Sequence, residues 1–199
     1  INESPATHIM MGGSLIQKNE MDELIATLKK LTKLPVILFP GNYAQISNQA
    51  DGILFLSLIS GRNPEYLIGQ HIHAAPLIKQ THLEVLPTGY VLIDSGAPTS
   101  VSYISNTQPI PRNKKDIALA TALAGEMLGL KMIYLEAGSG AQLPVPTETI
   151  RLVSSSLKIP IIVGGGMRTS EAIQEAYEAG ADMVVVGTAF EKNIHFFKK

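Results

Sequence analysis

The chain of 199 residues contains no cysteine, which excludes disulfides and cysteine-ligated metals and fits a reducing, cytoplasmic setting. It also lacks a charge imbalance: the net charge of −1 leaves no electrostatic footprint for nucleic acid. No stretch reaches the roughly 18 apolar residues of a membrane span, and no signal-peptide pattern opens the sequence. Nor does a low-complexity linker divide it. With 45% hydrophobic residues, the chain can bury one sizeable core, and its length predicts a single domain over residues 1–199.

What is present is a set of apolar runs that empty into small residues. Tyr134-Leu135-Glu136-Ala137-Gly138-Ser139-Gly140, Val163-Gly164-Gly165-Gly166 and Val186-Gly187-Thr188 each end a β-branched or aliphatic run at glycine. Such a run reads as a buried strand opening into a tight loop, where backbone N–H groups can approach a ligand closely. Consecutive exits of this kind, each followed by a helical pattern, are how a parallel α/β barrel holds a phosphate beyond its seventh and eighth strands. Glu136 is a carboxylate at the end of an otherwise apolar strand, a costly placement unless it has a task or a partner. Together these features imply an enzyme acting on a phosphorylated small molecule.

The period of the pattern predicts strands at Thr7 to Met11, Pro35 to Phe39, Gly52 to Leu56, Leu83 to Ile93 with a break at Pro87-Thr88-Gly89, Met132 to Glu136, Pro160 to Val163 and Met183 to Val186. Helices are predicted at Asn19 to Leu31, Pro64 to Lys79, Lys114 to Leu128, Pro146 to Ser155 and Ser170 to Ala179. Alternation of this sort means a parallel sheet, and the fold class expected is α/β, a (βα)8 TIM-type barrel. An internal echo supports it: Leu34-Pro35-Val36-Ile37-Leu38 to Ala50-Asp51-Gly52 parallels Ile159-Pro160-Ile161-Ile162-Val163 to Ala181-Asp182-Met183. The first copy leaves room for no more than about two helical turns between its strands, so one outer helix should be stunted. Seven strands are one short of a closed barrel, which leads us to expect a first strand upstream of Ile1 and an incomplete eighth helix.

The motifs YLEAGSG at Tyr134 to Gly140, Gly164-Gly165-Gly166-Met167-Arg168, Gly187-Thr188, His8 to Ser14, Ser57 to His71 and the segment Glu84 to Gly96 together resemble the geranylgeranylglyceryl phosphate synthase family, over nearly the whole chain. The resemblance implies transfer of a prenyl group from a long prenyl diphosphate to the C3 hydroxyl of sn-glycerol 1-phosphate. It implies that Tyr134, Leu135, Glu136, Ala137, Gly138, Ser139 and Gly140 line the glycerol phosphate, with Gly165, Gly166, Gly187 and Thr188 on its phosphate and Glu136 as the catalytic residue. It further implies Mg2+ as cofactor with Ser14 as a hydroxyl ligand, although the family's Asp-Pro-Asp-Lys segment occurs nowhere here. Tyr90, after the predicted break, would flank the prenyl cleft like a hinged door. A homo-oligomer, dimer or hexamer, and contact with a membrane surface are expected from the same likeness. Threonine after Gly187, rather than asparagine, favours the geranylgeranyl over the heptaprenyl branch.

Two alternatives stand beside this reading: another phosphate-binding barrel enzyme, such as an isomerase or a thiamine-phosphate-type synthase, and a noncatalytic phosphate binder. His71 and His73, two apart on a predicted helix, face different ways and read as packing or surface residues. Lys114, Lys115 and Arg112 read either as a solvated helix face or as charges that greet phosphate. Asp94 reads as a turn former before Ser95-Gly96.

Overall fold

A computed structural model describes residues 1–13, 18–193 and 195–197. Seven strands, β1 (Ile9–Met11), β2 (Val36–Leu38), β3 (Gly52–Ser57), β4 (Glu84–Leu92), β5 (Met132–Glu136), β6 (Ile161–Gly164) and β7 (Met183–Val185), follow one another in sheet order. The pairs β1/β2, β2/β3, β4/β5, β5/β6 and β6/β7 are parallel. Strand order that never reverses is the topology of a TIM-type barrel; a doubly wound sheet would turn back at a switch point. Among the described residues the helices are α1 (Lys18–Leu31), α2 (Gln70–Ile78), α3 (Ser100–Ser105), α4 (Lys115–Met127), α5 (Thr147–Ser154), α6 (Ser170–Glu178) and α7 (Thr188–Lys192), with a π-helical turn over Glu65–Gly69 ahead of α2.

The chain forms two compact units. In the first, Ile1–Leu56 with Ile68–Leu86, Ile9, Val36, Leu38 and Ile53 of the strands pack on Met21 and Ile25 of α1 and on Ala74 and Ile78 of α2. The four-residue step from Met21 to Ile25 puts both on one helix face, and α1 carries Glu20 in its first turn and Lys29 and Lys30 in its last, matching the helix dipole. Between β2 and β3 the described residues 40–51 form turns and bends only. The short connection thus carries no helix at all, and its buried Gln45 does the work of joining loops: it accepts from Gly41 N at 2.8 Å and donates to Gly13 O at 2.7 Å.

The second unit, Ser57–Leu67 with Pro87–Phe196, buries Val91, Ile133, Leu135, Ile161 and Val163 against Ala118 and Ala122 of α4, Ile150 and Val153 of α5 and Ala176 of α6. Period-2 alternation sends the residues between them to the opposite face. Tyr90, Leu92, Tyr134, Glu136, Ile162 and Gly164 are the residues so placed.

The internal echo has a physical basis. Asp51 Oδ2 accepts the N–H of Val36 at 2.8 Å while its own N–H donates to Val36 O at 2.8 Å. Asp182 repeats this on Ile161, at 2.8 and 2.9 Å. In both copies the aspartate before one strand latches the first residue after the Pro of its neighbour, satisfying an N–H at the ladder's end.

One strand corrects the sequence reading. β4 runs unbroken from Glu84 to Leu92. Pro87 lacks an N–H, but its carbonyl still accepts from Lys131 N at 2.8 Å, so the ladder continues past it. Tyr90 is therefore a buried mid-strand residue and not the movable strand end expected of a hinged door. The short helix α3 was not foreseen, α7 is a five-residue helix at the place where an incomplete last helix was expected, and the predicted helix from Pro64 divides into the π-helical turn and α2.

Candidate active site

Register decides what meets at the mouth of the second unit. Leu92, Glu136 and Gly164 stand abreast, with Val185 next to Gly164, so the strand ends that carry the carboxylate and the glycine exits lie side by side. Glu136 is only 4% exposed. Its Oε1 accepts the N–H of Gly138 at 2.6 Å, and the Tyr134 hydroxyl and the N–H of Ala137 also hold it. Burial pushes its carboxyl up to about 7 against those three donors, which pull it down. Tyr134 is in turn driven far above the ordinary tyrosine range, by burial first and by the neighbouring Glu136 next. Its ring meets that of Tyr90 edge to face at 5.5 Å, and burial raises Tyr90 too. The result is a carboxylate in an apolar recess, clamped by neutral donors and able to change charge near neutral pH.

The glycines divide into two kinds. Gly164 faces the Tyr134 hydroxyl and Glu136 Oε2, and Gly165 faces Glu136 Oε1 and the N–H groups of Ala137 and Gly138, so a Cβ at either position would drive into the carboxylate and its donors. Gly165 and Gly166 also hold φ of +80° and +72°, a backbone that favours glycine. These two residues are required by the site's own packing. Gly187 differs: nothing lies within 4 Å of where its Cβ would be, and its φ is negative. Its lack of a side chain leaves open space above the start of α7. Among the described residues, the N–H groups of Gly165, Gly166, Thr188 and Ala189 donate to no protein acceptor. They form two sets of donors beyond adjacent strands.

Other candidates take structural places. Arg168 is exposed, yet its guanidinium is engaged: its Nη2 donates to Ala141 O at 2.6 Å and approaches Gly140 O at 3.4 Å. Arg112 Nη1 donates to Pro144 O at 2.6 Å. Lys115 pairs with Glu148 at 2.6 Å in solvent, worth little to stability. Asp94 accepts from Gly96 N at 3.0 Å, the turn expected of it. In the first unit His71 packs edge-on against Phe55 at 4.4 Å and His73 lies beside Tyr43 at 5.1 Å. Ser14 lies outside the described residues. Sequence reading missed Arg168 and Arg112 as loop clamps, because a bond to a distant carbonyl leaves no local pattern.

A cleft of about 760 Å³ opens beside Ala137, lined by Ile93 to Thr99 and by Ser102 and Tyr103 of α3. Among the described residues no group of three or more His, Cys, Asp or Glu side chains gathers as a metal site. No helix among them is long and apolar enough to cross a membrane.

A parallel barrel of the TIM type, with a buried carboxylate at the mouth of strands that end in glycine loops, is the layout of a barrel enzyme. The sequence matches the PcrB family over residues 1–198, and the chain belongs to that family. It is 59% identical to geranylgeranylglyceryl phosphate synthase of Flavobacterium johnsoniae over 99% of this chain and 81% of that protein. It is 45% identical to the synthase of the same name from Korarchaeum cryptofilum over 96% of this chain and 78% of that protein. The crystal structure of (S)-3-O-geranylgeranylglyceryl phosphate synthase from Thermoplasma acidophilum in complex with substrate sn-glycerol-1-phosphate is similar at a TM-score of 0.92 and 39% identity, over 98% of this chain and 78% of that one.

Proposed function

We propose that this protein is a prenyltransferase that joins the C3 hydroxyl of sn-glycerol 1-phosphate to C1 of geranylgeranyl diphosphate, releasing diphosphate. The observation that carries the reading is Glu136, a buried carboxylate pushed to about 7 and set abreast of the glycine exits. The names of the relatives and the substrate in the Thermoplasma acidophilum structure support the same acceptor and donor.

In this scheme the phosphate dianion of the acceptor takes the N–H groups of Gly165, Gly166, Gly187 and Thr188, donors that need no cationic side chain. Tyr134 to Gly140 then flank the glycerol. As the allylic C–O bond to diphosphate breaks, the C3 oxygen bonds to C1 of the prenyl group and Glu136 takes the C3 proton. A base of this strength is ionised in a large fraction of molecules at neutral pH and still accepts a proton readily. Tyr134 and the N–H groups of Ala137 and Gly138 hold the carboxylate in the geometry for that transfer.

Mg2+ is expected with a diphosphate substrate, whose hard oxygens suit that ion. The described residues do not gather a ligand set for it, and Ser14 lies outside them.

The experiment is an assay of labelled sn-glycerol 1-phosphate with prenyl diphosphates of increasing length. A labelled ether product whose yield peaks with the geranylgeranyl donor supports the proposal. No ether product with any donor, from a protein that melts cooperatively, defeats it; a peak at a longer donor moves the assignment to the heptaprenyl branch.

A further inference from the structure

The loop from Ala137 to Val145 carries the donors that hold Glu136, and it is pinned from several sides. Gly138 N donates to the carboxylate at 2.6 Å, Leu143 N donates to Ser95 O at 3.2 Å, and Arg112 reaches Pro144 O at 2.6 Å. The remaining hold comes from the next strand's loop. Arg168, two residues beyond Gly166, donates to Ala141 O at 2.6 Å and approaches Gly140 O at 3.4 Å. Backbone contact reinforces this junction, since a Cβ on Gly166 would sit 2.8 Å from Pro144 N.

An arginine in a loop proposed to bind phosphate would be expected to bind the phosphate itself. Here its guanidinium is engaged by carbonyls of the neighbouring loop. The short bond from Nη2 to Ala141 O, with Gly140 O at the edge of reach of the same nitrogen, fixes the turn because the guanidinium is planar and rigid. The loop it fixes begins two residues before Gly140, at the N–H that grips Glu136.

We propose that Arg168 is a positioning residue for Glu136: its bond to Ala141 O locks the Gly138–Ala141 turn, and that turn presents the Gly138 N–H to the carboxylate. The loop that carries Gly165 and Gly166 thereby also sets the base, which is held in its working geometry before the acceptor arrives. The titratable groups facing Glu136 are Tyr134 on its own strand and Tyr90 on β4, both raised by burial; β6 presents Gly164 there and the loop after it Gly165. Because the Gly138 N–H lowers the Glu136 pKa, a loosened turn should raise it.

The inference rests on Glu136 acting as the base, so Glu136→Gln accompanies Arg168→Met and Arg168→Lys in the test. Turnover is followed from about pH 5 to about pH 9 with saturating prenyl donor, alongside KM for sn-glycerol 1-phosphate and the melting temperature. Arg168 is exposed, so Arg168→Met should melt close to the parent. Its acid limb should move up by about one pH unit, a loss of about tenfold below the limb and little above it. KM should rise as well. Arg168→Lys should recover part of the shift, since an ammonium can reach one carbonyl, and it remains the informative variant if the methionine protein folds poorly. A limb left in place in both arginine variants, while Glu136→Gln removes it, overturns the role of Arg168 and spares that of Glu136. A limb that persists in Glu136→Gln overturns the base assignment and this inference with it.

Discussion

Replacing Glu136 with glutamine separates the chemistry of the site from its stability. In the fold the carboxyl titrates near 7, against an ordinary value of 4.5, and desolvation is the largest cause. Ionising it in the folded protein therefore costs about 3 kcal/mol more than in the unfolded chain, at about 1.4 kcal/mol per pH unit. The sign follows from the raised value: the neutral form stabilises the fold below the ordinary pKa, and that contribution is lost as pH rises through about 7. Glutamine keeps the size and can still accept from the Gly138 N–H, but it never ionises. The variant and the parent should thus have similar stability near pH 4.5 and diverge as pH rises, until near pH 8 the variant is more stable by up to about 3 kcal/mol. For a chain of this length that is on the order of 5 to 10 °C in melting temperature. Turnover should fall by about 10² to 10⁴ with loss of the base. Melting curves across this pH range, paired with product formation, check both halves. A stability difference that does not change with pH would show that Glu136 is not a buried, late-ionising group, and unchanged turnover would remove it from the chemistry.

Gly187→Ala should leave the melting temperature nearly unchanged, because its Cβ would enter open space, but raise KM for sn-glycerol 1-phosphate by crowding the phosphate; an unaltered KM counts against that phosphate position. Gly165→Ala should instead reduce stability itself, since a Cβ there meets Glu136 and the backbone at φ +80°, and a calorimetric scan that matches the parent would contradict this. Tyr134→Phe removes a hydroxyl that lowers the Glu136 pKa, so the acid limb of turnover should rise to higher pH, and a limb at or below the parental position would refute the contact. Asp182→Ala frees the N–H of Ile161 and should cost about 1 to 2 kcal/mol in denaturant unfolding, whereas no loss would show the strand latch to be idle.

Local pattern in the chain was enough to place the strands and most helices, because a buried face repeats every second residue in a strand and every third or fourth in a helix whatever the neighbours are. Met132 to Glu136 was read with its bounds intact, and the recurring Pro and Asp positions marked a real hydrogen-bonded latch. The glycine exits and the lone carboxylate were legible for the same reason: each departs from the pattern around it. Proline misled at β4, where its local tendency to end a strand gave way to continued pairing through Pro87 O. The short helix α3 escaped notice because fewer than two turns of chain carry too little periodicity to be seen.

What only the tertiary structure decided is what each site residue touches. Register placed Gly164 opposite Glu136, which made two glycines part of the carboxylate's recess, whereas Gly187 faces open space. Burial by neighbouring strands moved Glu136 to about 7, a property no residue type carries by itself. Arg168 and Arg112 found carbonyls about thirty residues away in sequence. These outcomes depend on distances between segments, and a linear pattern records periodicity along the chain without recording which strand lies beside which.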